Sequence, residues 1–305
     1  MWWIRPLVRL LAAVALPLAV PAVVTGALWI LPGDPANIIC PPGICTGGAE
    51  LAARWGLDRG AFGFYSTWMG NALQGEFGNS WRVAQGIPVG DLVLESLPAT
   101  LAVVALAVLP LLFGMVLSTV GVLPRRLDPL WQVVGLVPSV IFALGFAAIV
   151  QINFGALSFD GLPGTLRVVF AALVLGVADG ALADAIVGTR STFDEEFKQR
   201  YAQISILRGE SMLGNALPNV LPALIGQLRA RIVAIISGTV VVEVVLGVPG
   251  LGELLWSGTL MQDFGVVLAA AWAYGLMSGA LLLMQALAEI GIATWVRRAP
   301  AVVPA

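Results

Sequence analysis

The side chains best equipped for chemistry in this sequence lie inside its most apolar stretches. Asp179 and Asp184 fall within one aliphatic run, Glu243 within another, and Gln285 and Glu289 within a third. Two aspartates brought together can share a proton and cleave an amide. Five positions apart on one helix, however, Asp179 and Asp184 point about 140° away from each other, so they are not expected to share a site. No Gly-x-Gly-Asp sequence surrounds either residue, which argues against an intramembrane aspartyl protease. An ionisable group at membrane depth is costly and normally faces a cavity or a partner. Asp179, Asp184, Glu243 and Glu289 are therefore candidates either for a solute pathway or for interhelical hydrogen bonds.

The remaining inventory narrows the chemistry further. The sequence has no histidine, and Lys198 is its one lysine. That removes histidine-based metal sites, histidine-dependent triads and the phosphate-binding G-x-x-x-x-G-K-[ST] loop. No catalytic residue, metal site or cofactor is expected, and any ATP that is used must be bound by another chain. Pro249-Gly-Leu-Gly252 contains half of a dinucleotide fingerprint but lacks the third glycine and a preceding strand, so it reads as a turn. A net charge of -2 gives no reason to expect a nucleic acid partner. Cys40 and Cys45, in Cys-Pro-Pro-Gly-Ile-Cys, could close a small disulfide loop in an oxidising compartment or remain two thiols in a turn.

The elements that carry these residues follow from composition. The chain is 59% hydrophobic and 11% charged, against about 25% charged in an ordinary soluble domain. Such a surface requires a bilayer around it. Apolar runs at residues 10–31, 97–122, 129–152, 166–188, 222–246 and 266–295 are each long enough to cross one as a helix. Arg5 and Arg9 precede the first run, which reads as a spanning helix kinked at Pro17 and Pro21 rather than a cleaved signal. The expected fold class is all-α integral membrane with about six transmembrane helices. Its divisions are an N-terminus with the first helix (1–31), an external segment (32–95), a five-helix core (96–296) containing a cytoplasmic segment at 189–221, and a tail (297–305).

Basic residues sort the two faces. Arg5, Arg9, Arg125, Arg126, Arg190, Lys198, Arg200, Arg208, Arg297 and Arg298 all fall on one side of such a six-span path. The positive-inside rule makes that side, and both termini, cytoplasmic.

The segment 189–221 resembles part of a known family, the permease subunits of ABC importers of the dipeptide, oligopeptide and nickel type. The resemblance runs over nearly the whole chain. It rests on Leu31-Pro-Gly-Asp-Pro-Ala36, Gly56-Leu-Asp58, Gly70-Asn-Ala-Leu-Gln-Gly-Glu-Phe-Gly-Asn-Ser80, Leu97-Pro-Ala-Thr-Leu101, Thr189-Arg-Ser191 and the stretch from Val240 to Gly252. It implies a type I permease fold in a bacterial inner membrane, a sister permease, cytoplasmic ATPases that hold ATP and magnesium, and an external substrate-binding protein. It also implies that Tyr201, Arg208, Gly209, Glu210 and Ser211 couple to the ATPase, with peptides or similar small solutes as cargo.

One departure tempers the expectation. About four residues, roughly one helical turn or 6 Å, are missing between Gly209 and the Leu217-Pro-Asn219 element relative to the family pattern. A structural or regulatory subunit with weakened ATPase coupling is therefore an alternative. A stand-alone secondary transporter is another, although no internal repeat supports it.

Overall fold

The computed structural model describes residues 4–30, 50, 53, 56–154 and 163–298. Leu31-Pro-Gly-Asp-Pro-Ala36 and the Cys40–Cys45 pairing lie outside the described residues. Apart from an isolated bridge between Asn79 and Pro88, the regular structure among those residues is helical. The helices are α1 (Ile4–Ile30), α2 (Gly60–Ala72), α3 (Val89–Thr119), α4 (Asp128–Gly135), α5 (Ser139–Phe154), α6 (Gly164–Val177), α7 (Ala181–Phe197), α8 (Arg200–Leu207), α9 (Met212–Leu246), α10 (Leu251–Leu260) and α11 (Phe264–Arg298). Within the described residues α1, α3 and α11 are each long and apolar enough to cross a membrane, and up to six spans result if the bent pairs α4–α5, α6–α7 and α9–α10 each count as one. The all-α, multi-pass membrane fold expected from composition is thus the fold observed.

The breaks within the bent pairs have local causes. Pro138 offers no N–H to continue α4, and α5 departs at 80°. Between α6 and α7 the chain turns by 56°, with Asp179 at φ 52° and Gly180 at φ 75°. Glycine adopts that left-handed conformation without strain, and aspartate is among the few other residues that tolerate it. The continuous helix expected over residues 166–188 is therefore two helices, and the geometry that set Asp179 and Asp184 apart does not apply.

The chain divides into two compact units. The first comprises residues 1–11, 102–246 and 281–305. Small residues bring its helices together, as expected where lipid supplies no hydrophobic drive for association. A Cβ at Gly176 would lie 2.9 Å from the Ala107 carbonyl, and one at Gly135 would lie 2.9 Å from the Gly180 Cα. Phe193, Ala216, Val220 and Leu224 form a buried cluster joining α7 to the start of α9.

The second unit comprises residues 12–101 and 247–280. Its core gathers Phe64, Trp68 and Met69 of α2 with Val89, Leu254, Val266 and Leu268, flanked by Trp29, Phe77 and Trp272. Trp68 is buried beside Phe77 and Trp81 meets Phe264 edge-on, so these two side chains contribute to packing. Asp263 is fully buried just before α11. Its Oδ2 accepts the Ser80 hydroxyl at 2.6 Å and the N–H groups of Trp81 and Arg82 at 2.8 and 3.0 Å.

Candidate functional site

The residues singled out for coupling form a tight elbow between α8 and α9. α8 ends because Gly209, at φ 71°, reverses the chain and the Glu210 N–H closes back on the Ser205 carbonyl at 3.0 Å. α9 begins at once, because the Ser211 hydroxyl accepts the Gly214 N–H at 3.2 Å, the bond of an N-cap to the third helical residue. A helix stop and a helix start are thereby joined through Arg208, Gly209, Glu210 and Ser211 alone, all four exposed.

Three side-chain bonds brace the elbow and α8. The Glu210 carboxylate accepts the Asn215 amide at 2.7 Å. Asn219 donates to the Tyr201 hydroxyl at 2.8 Å, and that hydroxyl donates to Glu196. Partial burial of the ring, followed by the bond to Glu196, raises the Tyr201 pKa above its ordinary value of 10.0. The tip carries apolar groups as well as charge, since Ile204, Leu207 and Leu213 are exposed, Leu207 by 86%. Leu217-Pro-Asn219, expected to stand before the membrane helix, lies inside α9. Ala216 and Val220 pack on Phe193 there, so the helix continues through Pro218 despite its missing donor.

Ion pairs tie α7 to the segment that follows α3. Arg125 clasps Asp194 through both guanidinium nitrogens, at 2.9 and 2.7 Å. Arg190 pairs with Asp128 and donates to the Leu123 carbonyl at 2.6 Å. Arg9 of α1 pairs with Glu289 of α11, which also accepts the Gln285 amide at 2.9 Å. Glu243 is fully buried within α9.

Asp179 and Asp184 have different roles but a common neighbour. The Asp179 carboxylate accepts the Ser139 N–H at 3.1 Å and so caps α5. Asp184 pairs with Arg231 of α9, whose guanidinium also reaches the Asp179 carbonyl at 3.5 Å. Arg231 is the residue that sequence reasoning missed. An Arg-Ala-Arg sequence inside an apolar run was the available signal, because an arginine at that depth needs a partner. The pair lines a cavity of about 480 Å³ together with Gln227, Leu111, Met115 and Leu228.

Residues 107–290 match the model of the family described as binding-protein-dependent transport system inner membrane component. The chain belongs to this family. As a member it is a transport permease of the inner membrane and not an enzyme. It is 28% identical over 264 residues to the oligopeptide transport system permease protein AppB of Bacillus subtilis (strain 168), covering 78% of this chain and 81% of that one. It is also 28% identical over 274 residues to the glutathione transport system permease protein GsiC of Escherichia coli (strain K12), covering 86% of this chain and 88% of the relative.

Proposed function

We propose that this chain is one half of the membrane pathway of an ATP-driven importer for di- and oligopeptides or similar small solutes. A sister permease would complete the pore, ATPases on the cytoplasmic side would drive it, and an external binding protein would deliver the solute. The relatives named for oligopeptide and glutathione transport favour a peptide-type cargo.

The observation that carries the reading is the elbow at Gly209. A rigid turn exposing Arg208 and Glu210 among apolar Ile204, Leu207 and Leu213 suits docking into a groove of a partner. Because α9 runs without interruption from Met212 to Leu246, a push on the elbow reaches the membrane interior directly. The Arg9–Glu289 pair, between the first and last helices, favours both termini lying on one face, which the distribution of basic residues makes cytoplasmic.

Purification from the native membrane in mild detergent tests the reading. Recovery of a second permease and ATPase subunits in fixed ratio is the expected result, and Arg208→Ala with Glu210→Ala is expected to release the ATPases while leaving the permease pair. Recovery of a sister permease without ATPase would replace the reading with a structural subunit. Recovery of the chain alone, still active in uptake, would replace it with a stand-alone transporter.

A further inference from the structure

The Arg231–Asp184 pair lines a cavity and differs in this from the buried Arg190–Asp128 pair of the same unit. Facing lipid it would cost several kcal/mol, yet its side chains are 33% and 50% exposed. Both line the same cavity, so water reaches the pair from there. By contrast, the Arg190 side chain in its pair with Asp128 is only 7% exposed, as suits a strut.

The guanidinium of Arg231 is also incompletely used. One nitrogen meets Asp184, while the other reaches only the distant Asp179 carbonyl. A planar guanidinium with donors to spare is the preferred partner of an incoming carboxylate, which it can hold through two parallel bonds. Such a carboxylate would release Asp184 to accept an ammonium group.

The backbone around Asp184 is equally unusual. Asp184 opens a π-helical turn, Asp184–Gly188, four residues beyond the break at Gly180. π turns and interrupted helices in membrane proteins concentrate where a solute or ion is handled. A cavity of about 480 Å³ falls within the roughly 300–1,000 Å³ typical of small-molecule sites. Leu111, Met115 and Leu228 supply apolar walls, and methionine adapts to side chains of varied shape.

We propose that this cavity binds zwitterionic short peptides, Arg231 taking the terminal carboxylate and Asp184 the terminal ammonium. The assignment deepens the importer reading and rests on it for the class of solute. The paired termini, rather than side chains, would be the common feature recognised, so peptides of different composition would share one site.

A thiol beside the pair tests this. In the full chain with its assembled partners, Cys40→Ser and Cys45→Ser leave Ala230→Cys as the sole cysteine of this chain, and a small thiosulfonate reagent, its label read on this chain alone, reports its accessibility. Alanylalanine is expected to slow labelling several-fold, whereas its N-acetylated, C-amidated form at equal concentration does not. Arg231→Gln or Asp184→Asn should abolish the protection, because each removes a charge-assisted bond whose loss weakens binding about tenfold or more. Equal protection by the blocked peptide, no protection by alanylalanine, or a thiol that never reacts would each overturn the site.

Uptake into vesicles containing the complete importer separates the two readings. Arg231→Gln and Asp184→Asn are expected to depress ATP-dependent uptake of alanylalanine, and the exchange Arg231→Asp with Asp184→Arg is expected not to restore it. Restoration by the exchange would make the pair a strut and end the proposal while leaving the importer reading intact. Intact protection of the thiol without any ATP-dependent uptake would retain the site and end the importer reading.

Discussion

The Asp179 carboxylate accepts the Ser139 N–H at 3.1 Å, while its own N–H donates to the Val137 carbonyl at 3.2 Å. Two helix breaks in the same unit thus satisfy each other's backbone. A membrane interior demands this, since an orphaned N–H or C=O has no water to turn to. Asp179 is therefore a positioning residue that holds α4–α5 and α6–α7 in register, and its left-handed backbone is part of that arrangement.

Asp179→Ala should cost the cap of α5 and about 1–2 kcal/mol of stability. Asp179→Asn retains a carbonyl acceptor and should lose only a small part of that. Thermal unfolding of the purified chain in one detergent, compared across the three forms, measures the difference. Equal melting of the alanine form and the native chain would remove the capping role.

Asp263 should be the more sensitive position. Its buried carboxylate holds the Ser80 hydroxyl and consecutive N–H groups from Trp81 to Val83. Truncation leaves several donors unsatisfied together, at about 1–3 kcal/mol for each one that stays dry. Asp263→Ala is expected to expose the 80–84 turn to limited proteolysis, and Ser80→Ala to do so more weakly.

Tyr201 gives a prediction with a pH signature. Its pKa is raised above 10.0 first by partial burial and then by the bond to Glu196, so the folded chain holds the phenolic proton more tightly than the unfolded chain does. The bond that the hydroxyl donates to Glu196 is then fully present below pH 10 and is lost as the pH rises through the raised value, whereas Asn219 goes on donating to the phenolate. Tyr201→Phe should loosen the elbow by about 0.5–1 kcal/mol at neutral pH. Amide exchange in α8 of the Tyr201→Phe form should be faster than in the native chain at pH 7 to 9, and the difference should narrow above pH 10 as the bond to Glu196 is lost.

The membrane fold was legible because lipid forces a coarse code: long apolar runs, with charges sorted between the connections. At the elbow, Gly209 and Ser211 are residue types that stop and start helices, but the sequence singled them out through the family resemblance and not as caps. The break at Asp179 was not, because a span test averages over its window and absorbs one Asp-Gly dipeptide, although Asp-Gly is itself a turn signal. The Asp184–Arg231 pair escaped for a different reason. Its partners come from α7 and α9, and no local period links residues whose meeting depends on how two helices cross.

Arg190 offers the sharpest separation of charge from packing. Its side chain is 7% exposed, and it pairs with Asp128 while donating to the Leu123 carbonyl. Removing the guanidinium leaves a carboxylate and a carbonyl without their donor, and breaking a buried pair from one side typically costs about 3–5 kcal/mol. Because Asp128 is itself 22% exposed, water recovers part of that, and Arg190→Leu is expected to cost about 2–3 kcal/mol. Arg190→Lys keeps the charge but cannot reach both acceptors with a planar fork, so it should fall between leucine and arginine. The double change Arg190→Leu with Asp128→Leu removes both charges and should recover more stability than the sum of the single changes predicts. Melting temperatures of the four forms close the cycle. Additive effects would mean that the pair contributes no coupling, and that Arg190 is held in place by its packing and its bond to the Leu123 carbonyl.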